Sequence, residues 1–351
     1  MNELSGSRVL VVGGAGFVGS NLCRKLLTLD VTNILVIDNL LSAEPENIPE
    51  DARIEFWQAS IADDTVLNRI PDDYGYVFHL ATYHGNQSSI HDPIADHDNN
   101  LITSIKLFNH LKRYRQLKKI VYSGAGCAVA KKTFDTADAT EEGDTVSLEM
   151  DSPYSISKIV GEFYAVYYHR QHDLPVVRAR FQNVYGPGEV LGAGRWRGTP
   201  ATIWRNVTPT FIYKAIQHEA LPLENEGIAT RDFIYVGDIV DGLTCCAVNG
   251  IPGDVYNLAS GQEVSIRELA DRINRLVGNP IPPTIKPKRN WDRSGKRFGS
   301  TVKAEREIGF KASTPHEEGL KKTVDWTITN LPFIKKTIAK HDEAMRRIAA
   351  Q

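Results

Sequence analysis

The segment Gly13-Gly-Ala-Gly-Phe-Val-Gly19 constrains this chain more than any other stretch. It follows the apolar, β-branched run Arg8-Val-Leu-Val-Val12 and leads into residues 20–27, whose apolar positions recur at helical spacing. A strand that runs through glycines into a helix can turn tightly and pack the helix closely on the strand. It also brings backbone close to a pyrophosphate, while the helix N-terminus offers free N–H groups and a partial positive charge. Gly13, Gly16 and Gly19, with Phe17 and Val18 at the helix start, are therefore expected to form a phosphate cradle.

Further apolar runs lie at residues 34–37, 54–57, 76–80, 119–122 and 176–180, with helical stretches between them, notably 100–114 and 155–172. Strand and helix alternating at this spacing predict an α/β chain with a doubly wound parallel sheet of the Rossmann type. After Pro187 the pattern changes, and residues 186–209 are rich in Gly, Arg, Trp and Pro. The runs at 232–236 and 255–258 resume the apolar strand pattern of the first half. The expected layout is a nucleotide domain over 1–185 with return segments near 232–260. A smaller, mixed C-terminal substrate domain is expected from 186–231 and 261–351.

Composition narrows the function classes. The 351 residues carry 41 basic and 43 acidic side chains, a formal net charge of −2. That balance points to neither nucleic acid nor an anionic membrane as partner. No apolar run approaches the length of a membrane span, and the N-terminus has no signal-peptide pattern. Cys23, Cys127, Cys245 and Cys246 show no metal-ligand spacing, so no metal site is expected and free thiols in a cytoplasmic setting fit best.

Two further features carry chemistry. Asp38 closes the second apolar run, where a carboxylate accepts hydrogen bonds from adenosine ribose hydroxyls and repels a 2′-phosphate. No Arg or Lys follows before Arg53, so NAD is expected as cofactor rather than NADP. In Tyr154-Ser-Ile-Ser-Lys158 the phenol and the ammonium share one helix face. A lysine near a phenol pulls its pKa below the ordinary value of about 10, which suits Tyr154 to proton transfer near neutrality. Lys158 is also placed to hold the nicotinamide ribose.

These motifs resemble the extended short-chain dehydrogenase/reductases, specifically the NAD-dependent nucleotide-sugar epimerase/dehydratase family and its UDP-galactose 4-epimerase-like members. The resemblance runs through residues 13–19, Asp38-Asn39-Leu40, His79-Leu80-Ala81, Asp98-Asn99-Asn100, residues 154–158, Arg180-Phe-Gln-Asn-Val-Tyr-Gly-Pro187, Arg231-Asp-Phe-Ile-Tyr-Val236 and Tyr256-Asn-Leu258. It implies tightly held NAD, a nucleoside-diphosphate sugar substrate and a homodimer formed through a helix bundle. By the same resemblance Asn39, Ser60, Ile61, Leu80, Ala81 and Asn100 join the cofactor contacts. Asn183 lies near the sugar or its diphosphate, and Arg231 with Arg293 clamps the diphosphate, for which bidentate guanidinium geometry is suited; Arg289 and Arg297 compete with Arg293 for that place, because the local match is loose.

The chain also departs from the family pattern. Where a Ser or Thr usually contacts the reacting hydroxyl stands Ala125, and either Ser123, two residues before it on the same strand face, or a water is the expected substitute. Residues 123–130 hold no carboxylate, which disfavours 4,6-dehydration. Cys127 matches a position used as acid/base in related C3 or C5 epimerases, and also reads as a small core residue. Arg195 and Arg197 lie on a Gly-rich loop where substrate contacts are expected, and His84 follows the segment that borders nicotinamide and sugar. The leading expectation is C4 epimerisation of a nucleoside-diphosphate hexose or uronic acid through a 4-keto sugar. C5 or C3/C5 epimerisation with Cys127 as acid/base, and a non-catalytic NAD-binding regulatory module, remain alternatives.

Overall fold

The computed structural model describes residues 3–130, 133–292 and 295–350. Val9, Leu10, Val11 and Val12 of β1 (Arg8–Val12) are all buried, as a strand covered on both faces requires. β1 pairs in parallel with β2 (Asn33–Asp38) and β4 (Tyr76–His79), β2 with β3 (Ile54–Gln58), and β4 with β5 (Lys119–Ala125). Val176–Phe181 and Val255–Leu258 extend the sheet beyond β5, so seven strands run in parallel.

The alternation of side chains along β1 separates two cores. Val9 and Val11 join Leu22, Cys23 and Leu26 of α1 (Phe17–Leu27), with Ile239 and Leu243, on one face. Leu10 and Val12 join Leu107, Phe108, Leu111, Ala165 and Tyr168 on the other. The fold is thus the doubly wound, Rossmann-like sheet expected from the sequence, followed by a C-terminal domain. A third core gathers Phe211, Ile212, Leu223, Leu269, Ile273 and Leu320, with Tyr185 and Phe233 at its border. No helix among the described residues is long and apolar enough to cross a membrane.

Of the two return segments, only Val255–Leu258 enters the main sheet, as its outer strand. Phe233–Tyr235 instead forms a separate parallel pair with Asn183–Tyr185. Asp232 fixes this crossing: its buried carboxylate accepts N–H groups of Ser260 (2.8 Å), Gly261 (3.0 Å) and Gly299 (3.2 Å), tying three chain segments together.

The Gly-rich segment at 192–198 docks on the loop after β2, on the adenosine edge of the sheet. Gly194 N donates to Glu44 Oε1 at 2.7 Å, and Lys340 Nζ pairs with the same oxygen. Arg195 donates its backbone N–H to Leu41 O (3.0 Å) and Nη2 to Asn39 O (3.1 Å), while Arg205 Nη1 reaches Ser42 O at 2.9 Å. A Cβ at Gly194, which has φ +85°, would lie 2.2 Å from Leu41 O, so only glycine permits this approach. Trp196 packs against the His341 ring at 5.8 Å, and so is committed to the C-terminal helices. Glu44→Ala removes the acceptor of a part-buried backbone N–H, and should lower unfolding free energy by about 1–3 kcal/mol. A chemical denaturation curve with unchanged midpoint would show that this clasp adds no stability.

Candidate active site

The glycine turn opens a cavity of about 390 Å³ between the sheet and the second domain. α1 starts after Gly16 with no side-chain cap, which leaves its first N–H groups for a ligand, and Gly13, Gly16, Phe17, Val18 and Gly19 all line the cavity. Two of the glycines are required by the protein's own backbone. A Cβ at Gly13 would stand 2.5 Å from Ala81 N, and one at Gly19 would stand 2.2 Å from Gly13 O.

Asp38 ends β2 and lines the cavity. Its carboxylate accepts from Ala15 N (3.0 Å) and Leu40 N (2.9 Å). Burial raises its pKa above the ordinary carboxylate value, opposed by the N–H groups of Leu40, Ala15 and Gly16. Asn39, Ser60, Ile61, Leu80 and Ala81 line the same cavity. Asn100 does not. Its Oδ1 accepts from Tyr83 N (2.6 Å) and Thr82 Oγ1 (3.0 Å), and its Nδ2 donates to Asp96 (2.8 Å), so it braces the loop beneath the site. A π-helical turn at Asp98–Ile102 rotates its neighbour Asn99 to the cavity instead, a register change that an α-helical reading misses.

The helix Pro153–His172 begins behind Ser152, whose Oγ accepts from Ser155 N at 3.3 Å, with Pro153 in the first turn. Tyr154 and Lys158 line the cavity from its first turns, beside Ser123 and Ala125 at the end of β5 and Cys127 in the turn after it. Lys158 Nζ donates to Ser123 O (2.9 Å) and Ser123 Oγ (3.3 Å), which orients that hydroxyl. Burial pushes Lys158 down to about 8. It also pushes the Tyr154 phenol up, with Cys127 and Tyr122 adding to the effect. The depressed phenol expected from the Tyr/Lys spacing is thus reversed by desolvation in the protein's own field. Cys127 occupies the wall while packing with Val129 and Ile159, so both readings of it share one position.

His84 reaches the site, its ring 6.1 Å from that of Tyr154. Burial and the charges of Arg205 and Arg197 push its pKa down to about 3, which keeps the imidazole neutral. Asn183 also lines the cavity. The arginines are redistributed. Arg195 is exposed and spent on the clasp, while Arg197 is buried with Nη1 on His84 O at 2.7 Å. Neither lines the cavity, because the Gly-rich loop closes over residues 39–44 after β2. Arg231 is buried behind the wall, with Nη1 donating to Gly295 O at 2.7 Å. Arg289, Trp291 and Arg297 face the cavity from the segment that Arg231 braces. Arg293 lies outside the described residues. Sequence reading also missed Glu189, Arg205 and Asn206, which line the second-domain wall; a carboxylate directly after Tyr185-Gly-Pro-Gly188 was the available signal.

A glycine turn open at a helix N-terminus, an acidic residue closing the second strand and a Tyr/Lys pair beside a hydroxyl are the features of a dinucleotide-dependent enzyme. The chain belongs to the NAD dependent epimerase/dehydratase family, whose model matches residues 9–259. The Bordetella bronchiseptica enzyme WbmF, solved in complex with NAD+ and UDP, is 57% identical, with 99% of each chain covered and a TM-score of 0.90. The epimerase Mth375 from Methanothermobacter thermautotrophicus is 37% identical over 95% of this chain and 96% of that one, with a TM-score of 0.88. A putative UDP-glucose 4-epimerase of Methanocaldococcus jannaschii is 29% identical over 327 residues, 92% of this chain and 99% of its own length. The cofactor of the family is NAD, and the residues present fit it: the open α1 N-terminus suits a pyrophosphate, and Asp38 suits ribose hydroxyls.

Asp38→Ala should relax the preference for NAD over NADP, because the carboxylate that repels a 2′-phosphate is gone. It also leaves Ala15 N and Leu40 N without their acceptor. Titration of both dinucleotides by fluorescence is the check; an unchanged preference would assign discrimination to another group.

Proposed function

We propose that the protein is an NAD-dependent nucleotide-sugar epimerase that inverts C4 of a uridine-diphosphate hexose or uronic acid through a 4-keto sugar. The observation that carries this reading is the placement of Tyr154, Lys158 and Ser123 around one wall of the cavity that the glycine cradle opens. Bound NAD supplies a hydride acceptor at the sugar carbon and returns the hydride, so net redox change is zero. Tyr154 takes the proton of the C4 hydroxyl and gives it back. The hydrogen bond with Thr82 opposes the burial that holds the phenol protonated, and the bonds of Lys158 to Ser123 aim that hydroxyl at the substrate oxygen in place of the residue missing at Ala125. Neutral His84 serves as a hydrogen-bonding neighbour of the sugar.

Asn183, Arg289 and Arg297 are positioned for the substrate's diphosphate, with Arg231 acting through the segment it braces. The complex of WbmF with UDP supports a uridine nucleotide. Cys127 on the same wall as Tyr154 supports a second reading, in which the 4-keto intermediate loses and regains a proton at C5 or C3. We also propose a homodimer. Ile156 (51% exposed), Phe163 (59%) and Tyr167 (50%) form an apolar face on the helix Pro153–His172 that a second copy would cover in a helix bundle.

The deciding experiment is NMR of UDP-sugars incubated with the enzyme in deuterated water. Product without solvent label supports C4 inversion, and deuterium at C5 or C3 supports the Cys127 reading. Tyr154→Phe should lower turnover at least ~10²-fold while leaving NAD bound, since it removes the proton-transfer oxygen at nearly constant volume. Full activity would place the proton on another group.

A further inference from the structure

Glu189 has no part in the chemistry above. It is 6% exposed and lines the cavity, where the other carboxylate among the described residues is Asp38, already engaged at the adenosine edge. Its Oε1 accepts from Asn206 Nδ2, and its Oε2 has no hydrogen-bond partner among the described residues. Its surroundings are unusual for an acid. Asn206 is the N-cap of the helix Val207–Ile216, makes no side-chain cap bond, and lines the cavity together with Val207 and Thr208. On the other side Pro187 O accepts from Asn21 Nδ2 of α1 at 3.0 Å, and a Cβ at Gly188 would lie 3.8 Å from Phe17. Glu189 therefore stands between two helix N-termini that open on one cavity, each favouring an anion.

We propose that Glu189 is a proton-linked anion-binding residue: a diphosphate entering this cavity is held against the neutral carboxylic acid, so that binding takes up a proton. The ionised form would set a like charge beside the phosphates in a water-poor wall, whereas the neutral acid keeps its bond to Asn206 and offers Oε2–H to a phosphate oxygen. The charged group facing Glu189 is Arg205, whose guanidinium donates to the carbonyls of Ser42 and Ala193 and looks outward to Glu44. Its attraction does not offset burial, and Glu189 is pushed up to about 7, so both forms are populated at neutrality. With a folded pKa raised to that value, the neutral form dominates below pH 7 and is lost above it. Affinity should then fall as pH rises, by up to about tenfold per unit.

The ligand chemistry is a diphosphate, whether the cofactor's pyrophosphate or that of the nucleotide sugar. Only the second source rests on the function proposed above. Isothermal titration at pH 7.5 in buffers of differing ionisation enthalpy, with NAD and with UDP-glucose separately, reads proton uptake directly, because the esterified phosphates of both carry no proton near neutrality. Uptake with NAD, UDP-glucose or both that falls in Glu189→Gln supports the proposal and identifies the source. Glu189→Gln keeps an acceptor for Asn206 and an N–H in place of Oε2–H. It should still bind, remove the uptake assigned to this site and flatten affinity between pH 6.5 and 8.5. The residual uptake of the variant reports Lys158, the other cavity group that titrates in this range. Uptake absent with both ligands, or unchanged in Glu189→Gln, overturns the proposal whatever reaction the enzyme performs.

Discussion

A buried ion pair sets the position of the reactive groups. Glu162, two turns after Tyr154 and one after Lys158, lies on the same face of the helix Pro153–His172 and is held by Arg180 Nε at 3.0 Å and Nη2 at 2.9 Å. Arg180 belongs to the strand beside β5, so the pair locks the rotation of the helix against the sheet. Breaking a pair this deeply buried typically costs about 3–5 kcal/mol, because the remaining charge stays desolvated. Gly124 makes room for it: a Cβ there would lie 2.6 Å from Glu162 Oε1. With the helix fixed, Lys158 has one place to go, the carbonyl and hydroxyl of Ser123, and Tyr154 is carried to the cavity wall.

The second domain completes the site from the opposite side by the same device, polar groups spent on backbone. Asp232 collects N–H groups from two segments, Arg231 holds Gly295, and Glu44 holds Gly194 and Lys340. Each replaces water that a buried backbone group would otherwise need. Side chains that look like ligands in sequence are consumed in this way. Arg289 and Arg297, alternatives to Arg293 in the sequence, are left facing the cavity together with Asn206 and Glu189.

The electrostatics of the cavity follow from its depth. His84 is held neutral, Lys158 is brought close to neutrality, and Glu189 is raised into the range where Lys158 also titrates. The Tyr154 side of the cavity thus carries few fixed charges, and Arg289 and Arg297 face it from the second domain. A charge that develops in such surroundings is weakly screened.

The sequence by itself determined the sheet, the cradle and the Tyr/Lys pair. A strand buried on both faces needs an unbroken apolar run, a close helix–strand turn needs glycine, and residues four apart on a helix share a face. Those rules act within a few residues and need no partner. Tertiary structure alone decided the rest. Asn100 turned inward because a π-helical turn shifted the register, and Phe233–Tyr235 left the main sheet because Asp232 tied the crossing elsewhere. Arg195 and Arg197 went to backbone carbonyls 156 and 113 residues away, and Glu189 met Asn206 at the mouths of two helices. Whether a charged side chain faces a ligand or braces a loop depends on which distant carbonyl, carboxylate or amide reaches it first, and no spacing along the chain records that.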